Sequence, residues 1–300
     1  MILEPASLKL SVVIAASNDL PALERTLASL RGQAEAADTE VIAVCNFEAV
    51  DEVAKLFPFV NCVALGSDTT VPELRTRGID LARGEIIALV EDYCTLDPLW
   101  CATIKKAHES CHPITGGSVE NRCPDKALNW AVYFYDYGRY MAPVPAGPAE
   151  ALSGMNATYS RNALCAVQES FRDGFFEAFV HEELKRLDHQ LYLEPSAVVY
   201  LSKDYGFREI FRAYFHLARA FAGRRVSGAA FTKRIVLALG SFVLPILLPG
   251  RVVLRTVPKR RHLLQLVRSL PYLFALTSSW SAGEFCGYVF GEGKSARKWT

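Results

Sequence analysis

Two adjacent acids, Glu91 and Asp92, are the residues of this chain whose types and spacing most directly indicate chemistry. They follow residues 85–90, which are apolar at nearly every position, as is typical of a strand buried on both faces. In open α/β sheets, ligands bind beyond the carboxyl ends of strands. Two neighbouring carboxylates repel each other unless a cation lies near them, and Mg²⁺ or Mn²⁺ arriving with a diphosphate would supply it. A helix N-cap followed by a solvated turn would give the same pair of residues.

The elements that must position these acids form a repeating pattern. Short apolar, β-branched runs alternate with helical patterns, and they predict buried strands at residues 10–15, 40–44, 60–65 and 85–90. Strands and helices that alternate at this spacing favour a parallel, doubly wound sheet with right-handed crossovers. The sequence therefore predicts an α/β fold with the two acids at the carboxyl edge of its sheet.

A resemblance to a known family rests on the helix and turn before the acids. Arg75 and Gly78 lie on an amphipathic helix, Gly84 lies in the turn after it, and the next strand ends at Glu91 and Asp92. This order resembles the family-2 glycosyltransferases of the GT-A fold, in which such a strand ends in an acidic metal motif. The resemblance implies that Asp92 and Glu91 hold Mg²⁺ or Mn²⁺, that Arg75 braces the acidic loop, and that the donor is a nucleotide-diphosphate sugar.

Two positions depart from the family pattern. Thr76 stands where Asn is usual, and Tyr93 replaces the final acid of the metal motif. Only Glu91 and Asp92 are left to carry the metal role.

The turns after the first two predicted strands resemble the nucleotide-binding part of that family. Ser17 and Asn18 follow the first strand as in the family's nucleotide-binding turn, and Asn46 follows the second, where an acid usually contacts the base or ribose. Ordinary turn chemistry would favour the same asparagines. A dinucleotide-binding enzyme is the poorest alternative, because it needs a G-x-G-x-x-G motif after the first strand and this turn contains no glycine.

A second motif, ALSGMNATYSR at residues 151–161, resembles the family's strand beside the acceptor and donor sugars. Gly154 would let a ligand approach the backbone, and Asn156 offers an amide donor and acceptor. The resemblance assigns Gly154, Asn156 and Arg161 to sugar positioning.

The catalytic base is expected on the helix that begins near Phe175. In the resembling enzymes an acidic pair there supplies the base, and here the pair reads His181-Glu182 with Glu183 beside it. The resemblance places the base on Glu182, with His181 able to share the proton or orient the acceptor. Helix dipoles favour acids in a first turn without any catalytic role.

Composition bounds the remaining possibilities. The net charge of +1 gives no global indication of a nucleic-acid partner, and the eight cysteines lack the spacing of a zinc site or a redox pair. Basic residues are concentrated in residues 203–268. The N-terminus lacks the pattern of a signal peptide, which favours a cytoplasmic compartment.

The C-terminal third changes character. We predict a glycosyltransferase domain over residues 1–203 and a helical, membrane-associating region over 204–300. Residues 207–225 read as a basic amphipathic helix, and two broken apolar stretches, 235–248 and 263–290, flank a basic segment at 251–261. They predict a re-entrant hairpin or two tilted spans, with the basic loop cytoplasmic. Soluble helical packing is the alternative.

These features together predict an enzyme on the cytoplasmic face of the inner (plasma) membrane. It would transfer a sugar from a nucleotide-diphosphate donor to a lipid-linked or glycan hydroxyl, and the resemblance implies inversion at the anomeric carbon. A non-catalytic relative that binds glycans or partners at the membrane is the alternative, since Tyr93, Asn46 and His181 depart from the family pattern. The sequence indicates neither the nucleotide base nor an oligomeric state.

Overall fold

The structure, a computed structural model, describes residues 8–34, 38–295 and 298, and the chain divides into two compact units. The first comprises Met1–Arg122 and Tyr140–Ser202, and the second comprises Cys123–Arg139 and Lys203–Thr300. The later segment of the second unit begins at Lys203, one residue before the expected boundary at 203/204, and the unit also includes the earlier segment Cys123–Arg139. The reason lies in long-range contacts, because the Asn129 amide donates to Asp204 (3.0 Å) and Tyr214 donates to Asp136 (2.7 Å).

A mixed sheet forms the core of the first unit. Its strands, within the described residues, are β1 (Leu10–Ala16), β2 (Thr39–Cys45), β3 (Val60–Ala64), β4 (Ile86–Glu91), β5 (Cys94–Leu96), β6 (Ile114–Asn121), β7 (Gly147–Ala149), β8 (Ala157–Ser160) and β9 (Leu191–Leu201). Their order is β3-β2-β1-β4-β8-β6-β9-β5, with β7 also paired to β9. The pairs among β3, β2, β1 and β4 are parallel, whereas β8 runs antiparallel to β4 and β6.

Helices connect these strands. In the first unit they are α1 (Leu20–Ala34), α2 (Val50–Leu56), α3 (Val71–Leu81), α4 (Trp100–Glu109), α6 (Arg161–Ala166) and α7 (Glu177–Arg186), while α5 (Ala127–Val132) belongs to the second unit. Asp19 caps the start of α1, since the backbone N–H of Ala22 donates to its carboxylate (2.8 Å).

The four predicted parallel strands are confirmed to within one residue at each end, and so is the α/β fold class. Every residue of β1 and of β4 is buried, as the continuous apolar pattern indicates. The turn before β4 needs Gly84, because a Cβ there would lie 2.7 Å from the Ser11 backbone nitrogen. This close contact sets β4 against β1, so the acids that end β4 have a defined position.

The second unit is helical. A π-helical turn at Tyr133–Tyr137 continues α5, and the rest of the unit contains α8 (Phe207–Arg225), α9 (Phe231–Gly240), α10 (Leu244–Thr256) and α11 (Leu263–Phe290). Although the last apolar stretch is interrupted in sequence by Arg268, Pro271 and Glu284, it forms one continuous helix, α11, with Pro271 inside it. Much of the predicted basic loop is also helical, since α10 continues to Thr256.

One stretch of described residues meets the length and composition of a membrane span. It is Phe231–Lys259, 29 residues, where α9 and α10 follow each other with short 3₁₀ turns. Only 17% of its most apolar window is buried within the protein. A core helix of a soluble protein would be mostly buried, so this stretch needs another explanation.

Candidate active site

The carboxyl ends of three parallel strands meet at one edge of the sheet. Ala16 pairs with Cys45, and Ala15 pairs with Glu91, so β1, β2 and β4 end side by side. The residues just beyond these ends are therefore neighbours. They include four of the predicted site residues: Ser17, Asn18, Asn46 and Asp92.

Asp92 ties the end of β4 to the turn after β1. Its Oδ2 accepts hydrogen bonds from the backbone nitrogens of Ser17 (2.9 Å) and Asn18 (2.8 Å), and its Oδ1 accepts one from the Asn18 amide (2.5 Å). The side chain is fully buried. Asp92 thus holds the predicted nucleotide-binding turn in place through bonds that a buried carboxylate makes well.

Asn46 plays a similar part at the end of β2. Its half-buried amide donates to the backbone carbonyl of Thr69 (3.1 Å), one residue before the capping residue of α3. Thr70 and Glu73 form a capping box there. The start of α3 is therefore fixed against the end of β2, and α3 carries Arg75.

Arg75 bridges two carboxylates. Its guanidinium contacts Glu91 through Nε and Nη2, and its Nη1 donates to Glu177 at 2.7 Å. Arg75 and Glu91 are buried, and the Glu177 side chain is 31% exposed. The predicted bracing contact between Arg75 and the acidic loop is present in this geometry. The planar fork of an arginine suits it, since two oxygens can be bound in fixed directions.

Burial and neighbouring charges have opposite effects on the pKa values of this cluster, since burial disfavours the charged forms and opposite charges favour them. Burial raises the pKa of Glu91 to about 7, although Arg75 beside it favours the ionised form. Burial would also raise the pKa of Glu177, but the Arg75 guanidinium outweighs it and lowers that pKa. Burial would lower the pKa of Arg75, whereas Glu91 and Glu177 raise it. Glu177 is accordingly the carboxylate of the pair that stays ionised through neutral pH.

Glu177 is the site residue that the sequence reasoning missed. It is the first residue of α7, whereas the sequence pointed to His181, Glu182 and Glu183, one turn or more further along the helix. Gly154 lies directly against the cluster, because a Cβ there would come within 2.9 Å of both the Arg75 Nη2 and the Glu177 Oε1. Phe-Phe-Glu at the start of a predicted helix was the only available signal, and a helix dipole accounts for it equally well.

The three residues of α7 that the sequence indicated, His181, Glu182 and Glu183, do not bind Arg75. His181 is buried, and its Nε2 lies 2.8 Å from the Tyr159 hydroxyl on β8, so it packs on the sheet. Burial lowers the pKa of His181 to about 4, which keeps it neutral at physiological pH. Glu183 pairs with Arg186 (2.5 Å), and Glu182 is exposed. His181 thus lies near enough to Glu177 to interact with it electrostatically, but its hydrogen bond goes to Tyr159, and Glu183 pairs with Arg186 instead of Arg75.

Asn156 has all its polar groups occupied by the protein. Its Oδ1 accepts from the Trp100 indole (2.9 Å), and its Nδ2 donates to the carbonyls of Ser118 (2.9 Å) and Ala197 (2.8 Å). The residue is fully buried. This corrects the prediction that it positions a sugar: Asn156 joins β6, β9 and α4 inside the fold.

Arg161 lies at the opposite edge of the sheet. Ser160 pairs with Ile86 at the start of β4, five residues or about 17 Å from Glu91 at its end. The Arg161 guanidinium donates to the carbonyls of Ala82 (2.9 Å) and Gly84 (2.7 Å). The prediction that it positions sugars beside the acids is corrected, because an antiparallel β8 carries it away from them. It stabilises the turn before β4 and lines a depression of about 690 Å³ at that edge.

The acids at the carboxyl edge can hold a divalent cation only in part. The Glu91 Oε2 is buried and, within the described residues, has no hydrogen-bond partner, so it can take a cation without losing a bond. Both oxygens of Asp92 already accept hydrogen bonds. Among the described residues no group of three His, Cys, Asp or Glu side chains could hold a metal by itself. Mg²⁺ in proteins is often bound by one or two carboxylates, substrate phosphates and water, and the residues present fit such a site.

Solved structures share this fold at low sequence identity. A mannosyltransferase, PcManGT from Pyrobaculum calidifontis, solved with GDP-Man and Mn²⁺, is 14% identical with a TM-score of 0.57, over 92% of this chain and 86% of its own. GalNAc-T7, solved with UDP, GalNAc and Mn²⁺, is 15% identical with a TM-score of 0.51 over 67% of this chain. The match spans 45% of the GalNAc-T7 chain. Among curated proteins, none matches this chain.

The family is established from the sequence itself. Residues 11–167, just over half of the chain, match the model of Glycosyl transferase family 2. That region contains the turn after β1, the end of β4 and the Arg75 helix. The resemblance to this family is thereby confirmed, and the dinucleotide-binding alternative falls away. This protein belongs to Glycosyl transferase family 2 and is a glycosyltransferase with a GT-A fold.

Proposed function

We propose that this glycosyltransferase binds a nucleotide-diphosphate sugar beyond the carboxyl ends of β1, β2 and β4. Half-buried Ser17, Asn18 and Asn46 line this edge, and Asp92 fixes the turn that carries the first two. Asp92 takes the backbone N–H groups of Ser17 and Asn18. Hydroxyl and amide side chains at such an edge of an α/β sheet suit the base and ribose of a nucleotide. The convergence of these turns with the Arg75 cluster is the observation that carries the proposal. The two similar structures contain UDP and GDP-Man, so both bases are candidates.

The metal proposed here is Mg²⁺ or Mn²⁺ at Glu91, beside Asp92. When bound, it would supply charge neutralisation for the diphosphate that leaves with the nucleotide. Mn²⁺ is present in both similar structures, which supports a divalent cofactor. Because the Glu91 Oε2 is the one carboxylate oxygen of these two acids without a hydrogen-bond partner among the described residues, we expect the cation to bind weakly alone and tightly with the nucleotide.

A carboxylate of α7 would take the proton of the acceptor hydroxyl as that hydroxyl attacks the anomeric carbon in line, which gives inversion. Glu182 is the base that the sequence indicates. The geometry favours Glu177, which Arg75 holds ionised and which lies directly against Gly154. General-base assistance of this kind contributes about 10²–10⁴ in rate.

The acceptor proposed is a lipid-linked or glycan hydroxyl, with the protein on the cytoplasmic face of the inner membrane. The apolar, largely unburied stretch Phe231–Lys259 supports a membrane location. A lipid-linked acceptor follows from that location, because such a substrate is held at the same surface.

One panel of variants tests the donor site and the base together. UDP, GDP, dTDP and CDP, each with and without Mn²⁺, are screened by thermal shift on the parent protein and on Asp92→Ala, Glu177→Gln and Glu182→Gln. We expect one nucleotide to stabilise the parent with Mn²⁺ only, and Asp92→Ala to lose the shift because the 17–18 turn is released. A second assay measures the rate of sugar transfer. Whichever of Glu177→Gln and Glu182→Gln removes the base should keep the thermal shift but transfer sugar about 10²–10⁴-fold more slowly.

The matched control is Asp51→Ala, an exposed acid in the first turn of α2. It should behave as the parent does in both assays. A folded parent protein that responds to none of the nucleotides would remove the donor proposal. Full transfer activity in both Glu177→Gln and Glu182→Gln would remove a carboxylate base on α7.

A further inference from the structure

Exposed apolar side chains are concentrated in the second unit. Among the described residues, three of the exposed large hydrophobic side chains lie in the first unit, and nineteen lie in the second. The largest exposures fall on α9, α10 and the first half of α11, where Ile246 and Leu254 are each 76% exposed. Scattered exposed leucines need no explanation, but a concentration of this kind marks an interaction surface.

These helices form an antiparallel hairpin. The Ser281 hydroxyl of α11 donates to the Ser241 carbonyl (2.7 Å), and the Thr277 hydroxyl lies 3.4 Å from the Pro245 carbonyl. The buried positions of the first arm fall on one narrow stripe that includes Ala238, Ser241, Val252 and Thr256. The stripe repeats at helical spacing, so α11 covers one side of α9 and α10.

The hairpin carries a set of exposed apolar side chains. Segment 127–137 packs against both α10 and α11, and α8 packs against α11, but these contacts leave large apolar side chains away from the buried stripe exposed. We call this set the apolar face; it consists of Val236, Leu239, Phe242, Val243, Ile246, Leu247, Leu254, Leu264, Val267 and Phe274.

The charges around this face have one sign. Residues 231–283 contain eight Lys and Arg side chains and not one Asp or Glu. Lys233, near the start of α9, and Arg251, in the second half of α10, are both exposed. A row of cations beside an apolar strip is the pattern of a helix that lies on an anionic lipid surface.

The hairpin is fastened to its own unit at both ends. At the turn, the His262 ring lies 4.7 Å from the Trp130 ring, and Lys259 donates to the Arg139 carbonyl (3.3 Å). At the other end, Ser279 donates to the Phe211 carbonyl of α8 (2.6 Å). A hairpin that crossed a bilayer would carry its turn, and the polar residues of segment 123–139 with it, to the far side. Such a span would also place Arg251, six residues from the middle of Phe231–Lys259, in the hydrocarbon, where a charged side chain is costly.

We propose that α9, α10 and the first half of α11 lie in the plane of one leaflet of an anionic membrane. The apolar face enters the acyl region, and Lys233 and Arg251 contact the phosphate headgroups. Phe231–Lys259 therefore does not span the bilayer, although its length would permit it. This inference extends the membrane location proposed above by giving its geometry and its lipid requirement.

Vesicle flotation tests the surface. The full chain is mixed with phosphatidylcholine vesicles, with or without phosphatidylglycerol, and compared with the double variant Ile246→Glu, Leu254→Glu. We expect the parent to float with the anionic vesicles, and the variant to bind roughly a hundredfold more weakly, since two buried aliphatic side chains are replaced. Leu99→Glu and Leu187→Glu, at exposed leucines of the first unit (69% and 51%), are the controls and should bind as the parent does.

Depth measurements separate the in-plane arrangement from a span. Tryptophan is introduced singly by Val236→Trp, Ile246→Trp and Leu254→Trp, and quenching by lipids brominated near the headgroup or near the acyl end is compared with the parent. The proposal requires similar, shallow depths at all three positions. A deeper position for residue 246 than for 236 and 254 would overturn it in favour of a span.

Two further outcomes would also overturn the proposal. Equal binding of the double variant and the parent to anionic vesicles would remove the apolar face from the interaction. The parent could instead fail to bind vesicles and form a dimer, detected by light scattering, that the double variant does not form. That result would assign the face to a second copy of the chain. Donor hydrolysis in detergent does not depend on vesicles, so the double variant should retain it if the catalytic proposal holds.

Discussion

Arg75 is the residue on which the geometry of the candidate site depends. It binds Glu91, at the end of a strand, and also Glu177, at the start of a helix. Arg75 and Glu177 are 102 positions apart in the chain. Removing one partner of a buried ion pair leaves an uncompensated charge, which is far more costly than losing a surface pair. The contact therefore fixes where Glu177 lies relative to the donor edge, and only a folded chain reveals it.

The protonation of His181 makes the stability of the fold depend on pH. Burial lowers its pKa from 6.5 to about 4, so below pH 6.5 the unfolded chain binds more protons than the folded one. Stability is therefore lost as the pH falls from 6.5 towards 4. In His181→Gln this loss of stability is absent. Between pH 7 and pH 4 the free energy of unfolding of the parent should therefore decrease by about 3 kcal/mol more than that of the variant.

Chemical denaturation of both proteins between pH 4 and 8 measures this difference. Above pH 7 the difference in the free energy of unfolding should be constant, because the imidazole is neutral in both states. A difference that stays constant down to pH 4 would contradict a buried, neutral His181.

At the scale of elements, the contact between α8 and α11 depends on two glycines. Gly283 and Gly287 lie one turn apart on α11, where a Cβ would come within 2.9 Å of Ala218 and 2.6 Å of Ala222, respectively. Small residues at this spacing let two helices approach closely. The apolar hairpin is held to the rest of its unit through this contact.

Replacing Gly287 with alanine should reverse the usual effect of that substitution. In a helix interior, Gly→Ala stabilises by about 1 kcal/mol. Here the added methyl meets the backbone of Arg219, and such overpacking costs about 1–3 kcal/mol, so we expect a lower melting temperature. Gly250→Ala in α10, where nothing lies within 4 Å of the new methyl, is the control and should not destabilise. A stabilised Gly287→Ala in mild detergent would contradict the packing.

At the scale of the whole molecule, the two units interleave in sequence. Segment Cys123–Arg139 leaves the first unit after β6, and the chain returns at Tyr140, whose carbonyl accepts from the Val119 nitrogen (3.1 Å). The two ends of the excursion are therefore close together. A boundary drawn at residue 203 alone leaves Trp130 and Asp136 without the side chains of His262 and Tyr214.

This arrangement predicts how the first unit can be isolated. A chain that ends at Ser202 and carries a short Gly-Ser linker in place of residues 123–139 should be soluble, monomeric and able to bind the nucleotide. The same chain with residues 123–139 retained should aggregate, because Trp130 and Phe134 would be exposed. Size-exclusion chromatography and the nucleotide thermal shift compare the two. Equal behaviour of both chains would contradict the assignment of this segment to the second unit.

Much of the first unit follows from local pattern. The four buried parallel strands, the capped helix after β1 and the acids at the end of β4 each depend on residues a few positions apart, and the sequence predicts them to within a residue. The turn residues Ser17, Asn18 and Asn46 follow from the same strands, since parallel strands end at one edge.

Tertiary structure decided the roles that depend on distant partners. The prediction for Asn156 was wrong because Trp100, Ser118 and Ala197, far apart in the chain, satisfy its amide. The prediction for Arg161 was wrong because an antiparallel strand reversed its direction, which no local pattern records. By itself the sequence determined the four parallel strands, the edge at which they end and the acids there, because strand periodicity and turn chemistry are local. Only the fold decided that Glu177, rather than its neighbours on α7, faces Arg75, because that contact is made between elements.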